Sequence, residues 1–301
     1  MRVLRIASRS SALSLAQVDE VVAPLRAYAS VEVLKVLSRG DVDLRTPLYA
    51  MEEKGVFERD VDAAVLRGEA DAAVHSAKDV PTDIPPGLVL AAVPRRRSPY
   101  DALVAPGGAA LSDLPPGSRV GTSSLRRISM LRRVRPDLEV LPIRGNLDTR
   151  LGVLGGRVDA LVVAEAGLER IGFRGAWRRL PPEDFVPAAG QGALMVLARE
   201  GDSEVIDLLS RVDDPVSRAE VQAEKSFVSA IGAGCRAPVG VLARVQGSTL
   251  AMVAAVVPPE GSGMVLVRAS GNLGDDVVGE LVDAFRSAGG PEAMRGWRDA
   301  L

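Results

Sequence analysis

GEADAAVHSAKDVP (residues 68–81) and GRVDALVVAEA (residues 156–166) both run Gly-x-x-Asp-Ala-x-Val at the same offsets. In each, a glycine and an aspartate lead into a short apolar run, the pattern of a buried strand. A second pair of stretches echoes the first. VLRIA (3–7) is followed by a Ser/Arg turn and the apolar-periodic ALSLAQVDEVVAPL (12–25), while RVG (119–121) is followed by Thr122-Ser123-Ser124 and LRRISMLRRV (125–134). Each reads as strand, hydroxyl-rich turn, helix. Like elements in like order predict two similar α/β lobes.

Further along, PRRRSP (94–99) reads as a crossing between the lobes, APGGAALSDLPPG (105–117) as a loop and VPAAGQGA (186–193) as a hinge entering the strand LMVLA. After Pro215 the style changes. A helical segment (216–231) leads to IGAGC, then three strand-like runs lie near 238–245, 249–257 and 263–270, and a final helix near 275–287. The expected architecture is two α/β lobes about a hinge, arranged as in periplasmic solute-binding proteins, plus a small C-terminal α+β domain. The expected divisions are 1–94 with 192–212, 97–188, and 214–301.

The chain has 301 residues, a net charge of −2 and a single cysteine. That charge argues against a general nucleic-acid binder, as does an aromatic content of 3%. No apolar run approaches the ~18 residues of a membrane span. The N-terminal stretch, broken by Arg5 and Arg9, makes a poor signal peptide, and one cysteine suits a reducing compartment, so a cytoplasmic location is expected. No His/Cys/Asp/Glu spacing suggests a metal site, and no GxxxxGK[ST] loop is present.

Chemistry gathers at the strand ends, where open α/β sheets bind ligands. Ser11 and Thr122-Ser123-Ser124 stand where a helix begins, either capping it or presenting backbone N–H groups to an anion. Arg126 and Arg127 fall in a first helical turn, where the macrodipole disfavours cations unless an anion compensates. With Arg144 and Arg150 they predict a cleft that holds a polyanion, since guanidinium forks suit carboxylates and phosphates. Arg132, Arg133 and Arg135 read as a solvated face. Only four of the 37 basic residues are lysines, and one of them, Lys78, stands beside Asp79 at the end of a buried run closed by Pro81. His75, one step inside that run, reads as a hydrogen-bonded structural residue. Cys235 lies in a glycine turn next to Arg236, which favours thiolate and a chemical role over an inert buried thiol.

Nine ordered motifs then point to one family: SRSSALSLAQ (8–17), SRGDVDLRTPL (38–48), EKGVFERD (53–60), AVHSAKDVP (73–81), GTSSLRRISML (121–131), RGNLDTRL (144–151), AGLERIG (166–172), GQGAL (190–194) and GAGCRAPVG (232–240). Together they resemble the porphobilinogen deaminase (hydroxymethylbilane synthase) family over nearly the whole chain. The resemblance implies a transferase of porphyrin and haem biosynthesis. Such an enzyme joins four porphobilinogen molecules head to tail on a covalent dipyrromethane primer, one per chain, losing ammonia at each step, and then frees the tetrapyrrole with water. It further implies that Cys235 carries the primer through a thioether and that Asp79 is catalytic with Lys78. Lys78, Asp79, Thr122, Ser124, Arg126, Arg127 and Arg144 would hold the primer. Arg9, Ser11, Arg144, Arg150 and Arg170 would bind incoming substrate, and Lys54 and Phe57 would belong to an active-site loop. Implied partners are porphobilinogen, the growing polypyrrole chain and uroporphyrinogen-III synthase as receiver of the product. The chain would be a monomer without metal, nucleic acid or membrane. One departure stands out: the family's cofactor loop reads acidic-Gly-Gly-Cys, and a positive φ at the second position would strain Ala233. From the residues alone, a non-catalytic two-lobed protein that binds an anionic ligand remains the alternative.

Overall fold

The computed structural model describes residues 3–37, 58–234 and 237–299. The chain opens with β1 (Val3–Arg9), α1 (Ala12–Val22), β2 (Ser30–Val36), α2 (Arg59–Leu66), β3 (Ala72–Ser76) and β4 (Leu88–Ala92). It crosses to β5 (Asp101–Val104), β6 (Arg119–Gly121), α3 (Leu125–Val134), β7 (Glu139–Leu141), α4 (Leu147–Leu151), β8 (Ala160–Ala164), α5 (Glu165–Arg170) and β9 (Trp177–Arg179). It then returns through β10 (Leu194–Arg199) and α6 (Ser203–Ser210). A last unit follows: α7 (Pro215–Ala230), β11 (Val239–Gln246), β12 (Thr249–Val256), β13 (Val265–Asn272), α8 (Val277–Ser287) and α9 (Gly290–Asp299).

The first lobe's sheet has the order β2-β1-β3-β10-β4 and the second β7-β6-β8-β5-β9. In each, four strands point one way and the strand entered from a crossing, β10 or β5, runs antiparallel to its neighbours. The repeated aspartate explains why the motif recurs. Asp71 accepts the Arg5 N–H at 2.7 Å and donates its own N–H to Arg5 O at 2.8 Å. Asp159 does the same with Arg119, at 2.8 Å in both directions. One side chain thus continues the parallel ladder by a rung and sets the register, Ile6 opposite Ala72 and Val120 opposite Ala160. The two lobes are the same fold twice.

Each sheet is covered on both faces, which is why its central strands are near-continuously apolar. Leu4 and Ile6 pack with Val18 and Val22 of α1 and Leu209 of α6; Ala7 and Ala73 pack on the other face with Val61 and Val65 of α2. The second lobe's core takes in Ala255 and Val257 of β12 and the residue after it, so the third unit docks there. That unit is a three-stranded antiparallel sheet backed by helices, with Phe227 and Phe285 edge-to-face at 5.5 Å. The sequence pattern gave one C-terminal helix, whereas the structure has two. Pro291 sits in the first turn of α9, where its missing N–H costs nothing, and Trp297 Nε1 donates to Val257 O at 2.8 Å.

The two crossings are locked by one buried carboxylate. Glu224 of α7, 0% exposed, takes a two-pronged bond from Arg96 (2.7 and 3.0 Å) and the N–H groups of Gly190 and Ala243 (2.6 and 2.9 Å). Gly192, with φ +86°, lets the crossings touch: a Cβ there would collide with the backbone of Ser98.

Candidate active site

A cavity of about 360 Å³ lies between the lobes and reaches the third unit, a size that suits small-molecule ligands. The first lobe supplies Arg9 and Ser11 from the β1–α1 turn, Lys78 and Asp79 from the turn after β3, and Glu58 from the start of α2. The second supplies Ser124, Arg126 and Arg127 from the β6–α3 turn, Arg144 and Arg150 around α4, and Arg170 at the end of α5. These are strand and helix ends pointing into one cleft. Ten of the residues expected from sequence meet there: Arg9, Ser11, Lys78, Asp79, Ser124, Arg126, Arg127, Arg144, Arg150 and Arg170.

Thr122 does not join them. It is 3% exposed, and its hydroxyl accepts the Ser124 N–H at 3.3 Å, so it braces the turn from behind while its neighbour Ser123 lines the wall. Cys235, Lys54 and Phe57 lie outside the described residues. Gly234 and Ala237, the described residues flanking 235–236, both line the cleft, and Ala237 N–H donates to Gly234 O at 3.0 Å. The expected strain at Ala233 is absent. The positive φ falls on Gly232 (+65°), which closes α7 with two bonds, Gly232 N–H to Ser229 O and Ala233 N–H to Val228 O. This is a Schellman ending that needs glycine only at that position.

Both hydroxyl turns cap their helices: Ser11 accepts from Ser14 N–H at 3.2 Å and Ser124 from Arg127 N–H at 3.5 Å. The anion that faces the first-turn arginines is internal. Asp101, at the head of β5 and 0% exposed, receives Arg126 at 2.7 and 3.3 Å and Arg127 at 2.8 and 3.0 Å. Gln191 from the hinge donates to the same carboxylate at 2.9 Å. Burial alone would raise the Asp101 carboxyl; the two guanidinium groups overcome it and hold it well below the usual carboxylate range. Arg126 is spent internally, its Nη1 also reaching Val186 O at 2.9 Å, whereas Arg127 fixes the cleft wall by bonding Val162 O and Gln191. Arg133 and Arg135 are likewise more than a solvated face. Arg133 pairs with Asp184 at 2.8 Å and Arg135 with Asp137 at 2.6 Å, while exposed Arg132 donates to Pro259 O.

The remaining cations are differently placed. Among the described residues, Lys78 and Arg150 have no ion-pair partner; Arg150 Nε donates only to Gly145 O, at 2.7 Å. Burial pulls Lys78 down to about 8 despite Asp79 beside it, and burial with Arg127 pulls Arg150 down to about 10. Across from them Glu58, 4% exposed, is pushed up to about 8 by burial and then by Asp79. Behind the floor, buried His75 and Asp62 bond at 2.8 Å and tie α2 to β3. Sequence reading missed Glu58, Asp101 and Gln191. Asp101 carried a visible signal, a charged residue opening the apolar run DALVA directly after a crossing.

Like-charged groups crowded into a desolvated cleft in excess of its counter-charges mark a site built for a ligand of opposite sign. An oligopyrrole primer fits this test: each ring carries two carboxylates, and Lys78 and Arg150 are left without them. Arg127, held rigid by Asp101, and Arg144 stand beside these two. No group of three or more His, Cys, Asp or Glu among the described residues is arranged to hold a metal, and no described helix is long and apolar enough to cross a membrane.

Residues 4–207 match the family model "Porphobilinogen deaminase, dipyromethane cofactor binding domain", and residues 218–280 match "Porphobilinogen deaminase, C-terminal domain". A protein of Roseiflexus castenholzii named porphobilinogen deaminase is 45% identical over 292 residues, covering 93% of this chain and 96% of its own length. One from Acidothermus cellulolyticus with the same name is 47% identical, covering 87% and 81%. A probable porphobilinogen deaminase of Nitrosopumilus maritimus is 38% identical, covering 98% and 97%.

Proposed function

The chain belongs to the porphobilinogen deaminase family, and from that premise we propose how its own residues serve the family's reaction. It is an enzyme of tetrapyrrole synthesis that uses a dipyrromethane cofactor. Its function is that of a hydroxymethylbilane synthase, which joins four porphobilinogen units and releases ammonia at each addition. A purely ligand-binding role is not favoured by that membership. With this function go, in the same proposal, a monomeric cytoplasmic chain and delivery of the product to uroporphyrinogen-III synthase.

The observation that carries the residue assignment is the meeting in one cleft of Asp79 with two half-buried cations, Lys78 and Arg150, that have no ion-pair partner among the described residues. When bound, the dipyrromethane supplies the pyrrole onto which new units are added. Lys78, Arg127, Arg144 and Arg150 hold its carboxylates, and Ser124 orients the turn that carries Arg127. Cys235 is the covalent anchor. Arg9, Ser11 and Arg170 receive the carboxylates of incoming porphobilinogen.

Asp79 would serve the pyrrole nitrogens. Loss of ammonia from porphobilinogen leaves positive charge spread onto its pyrrole nitrogen, and an ionised carboxylate at that N–H stabilises the charge as it develops. Each addition, once ammonia has left, also releases one proton from the ring carbon that forms the new bond; Asp79 would accept it and hand it to solvent, where the released ammonia becomes ammonium. Glu58, protonated at neutral pH, adds no second negative charge there.

The test is ammonia release from porphobilinogen. We expect the wild-type chain to turn over and Asp79→Asn to lose about 10²- to 10³-fold in kcat while keeping its covalent pigment. Retention of more than about a tenth of the activity by Asp79→Asn refutes its role.

A further inference from the structure

Arg170 is held in an arrangement that its place in a substrate site does not by itself require. Its side chain is 3% exposed, and its Nε and Nη2 grip the two oxygens of Glu20 at 3.1 and 3.2 Å. Nη2 also donates to Gly192 O at 2.9 Å. A second guanidinium reaches the same carboxylate: Arg97 Nε lies 2.6 Å from Glu20 Oε2. Four pieces of the molecule meet here. Glu20 belongs to α1 of the first lobe, Arg170 ends α5 of the second, and Arg97 and Gly192 lie on the two crossings.

Two arginines share one carboxylate, so the cluster keeps a net positive charge, and its Arg170 lines the cleft. The geometry says where that charge is offered. Among the described residues Arg170 Nη1 has no hydrogen-bond partner, and the side chain lines the cleft. One edge of a planar fork is therefore clamped, and its remaining N–H pair is left for a ligand. A clamped fork loses little rotamer freedom when it takes a carboxylate, whereas a free arginine loses more.

We propose that Glu20 is a positioning residue for the reaction: by clamping Arg170 across the lobes it aims the free edge of that guanidinium at a carboxylate of incoming porphobilinogen. The role presupposes the substrate proposed above. It acts on substrate capture and leaves the chemistry at Asp79 alone, so it separates KM from kcat.

The experiment measures KM and kcat for porphobilinogen in the holoenzyme and its Glu20→Gln, Arg170→Gln and doubly substituted variants, each checked for equal dipyrromethane content and thermal midpoint. Glu20→Gln is expected to raise KM about 5- to 20-fold with kcat within about twofold. On the Arg170→Gln background the same change adds less than about twofold. An unchanged KM in Glu20→Gln overturns the proposal, and so do penalties that multiply in the double variant. If Glu20→Gln does not fold, Glu20→Asp gives the same test at an expected rise of about two- to fivefold. A wild-type chain inactive on porphobilinogen would instead refute the proposed function, so the two failures are told apart.

Discussion

In the first lobe, β3 leaves Gly-x-x-Asp-Ala-x-Val through Ser76 and Ala77 into Lys78 and Asp79; in the second, β8 leaves the same motif straight into α5. There Glu165, 3% exposed, is neutralised by Arg179 at 2.7 Å on both oxygens and stays out of the cleft. The cations contrast in a similar way. The second lobe's pair, Arg126 and Arg127, is ion-paired with Asp101, whereas Lys78 of the first lobe feels the nearby carboxylates of Asp79 and Asp101 without an ion pair to either. One backbone plan thus carries an internally compensated turn at Arg126 and Arg127 in one lobe and, in the other, a lysine whose nearest counter-charge is the adjacent Asp79. Ionisation follows the division: Lys78 is pulled down, Glu58 pushed up, and Asp101 locked in its charged form.

The sharpest way to break this contrast is to remove each lobe's carboxylate in turn. Asp101→Asn leaves two buried guanidinium groups facing a neutral amide and should cost about 3–5 kcal/mol in denaturant unfolding. Asp79→Asn should cost little stability and mainly turnover. If Asp101→Asn is as stable as wild type, the second lobe is not self-compensated in the way described.

A smaller effect is read in the pH dependence of stability, on a Cys235→Ala background that carries no covalent anion. Lys78 has a folded value near 8 against 10.5 when unfolded. Its burial cost is therefore full below pH 8 and disappears as pH rises from 8 to 10.5, so stability climbs across that window by up to about 3 kcal/mol. Glu58, with a folded value near 8 against 4.5, has the opposite sign: stability falls as pH rises from 4.5 to 8. Lys78→Gln should flatten the alkaline slope and Glu58→Gln the acid-side one; slopes unmoved by these changes would place the titrating groups elsewhere.

The smallest effect concerns the anchor loop. Gly232→Ala should cost about 1 kcal/mol because it forces a left-handed φ. Ala233→Gly should change stability by less than about 0.5 kcal/mol. The reverse order would mean that the loop turns at Ala233.

Much of this was legible in the sequence because it is local. Strand, hydroxyl turn and helix follow one another within twenty residues, and the repeated aspartate marks the register in both lobes. The assignments that failed or went unmade depend on long-range geometry. Nothing in a one-dimensional pattern says that Arg126 meets Asp101, that Arg96 meets Glu224 across 128 positions, or that Arg170 meets Glu20 across 150. Nor does spacing say that Ser123 and Ser124 line the cleft while Thr122 is buried behind them. Ala233 invited a false concern because the helix C-cap, and with it the left-handed residue, begins one position earlier.

The mass of the intact chain, taken after acid denaturation of protein grown with its substrate available, tests the central claim most directly. The account predicts the mass of the amino acids plus one dipyrromethane unit, located at Cys235 by peptide mapping and absent from Cys235→Ala. A chain that weighs only what its residues sum to, and gains nothing at position 235 when given porphobilinogen, would contradict it.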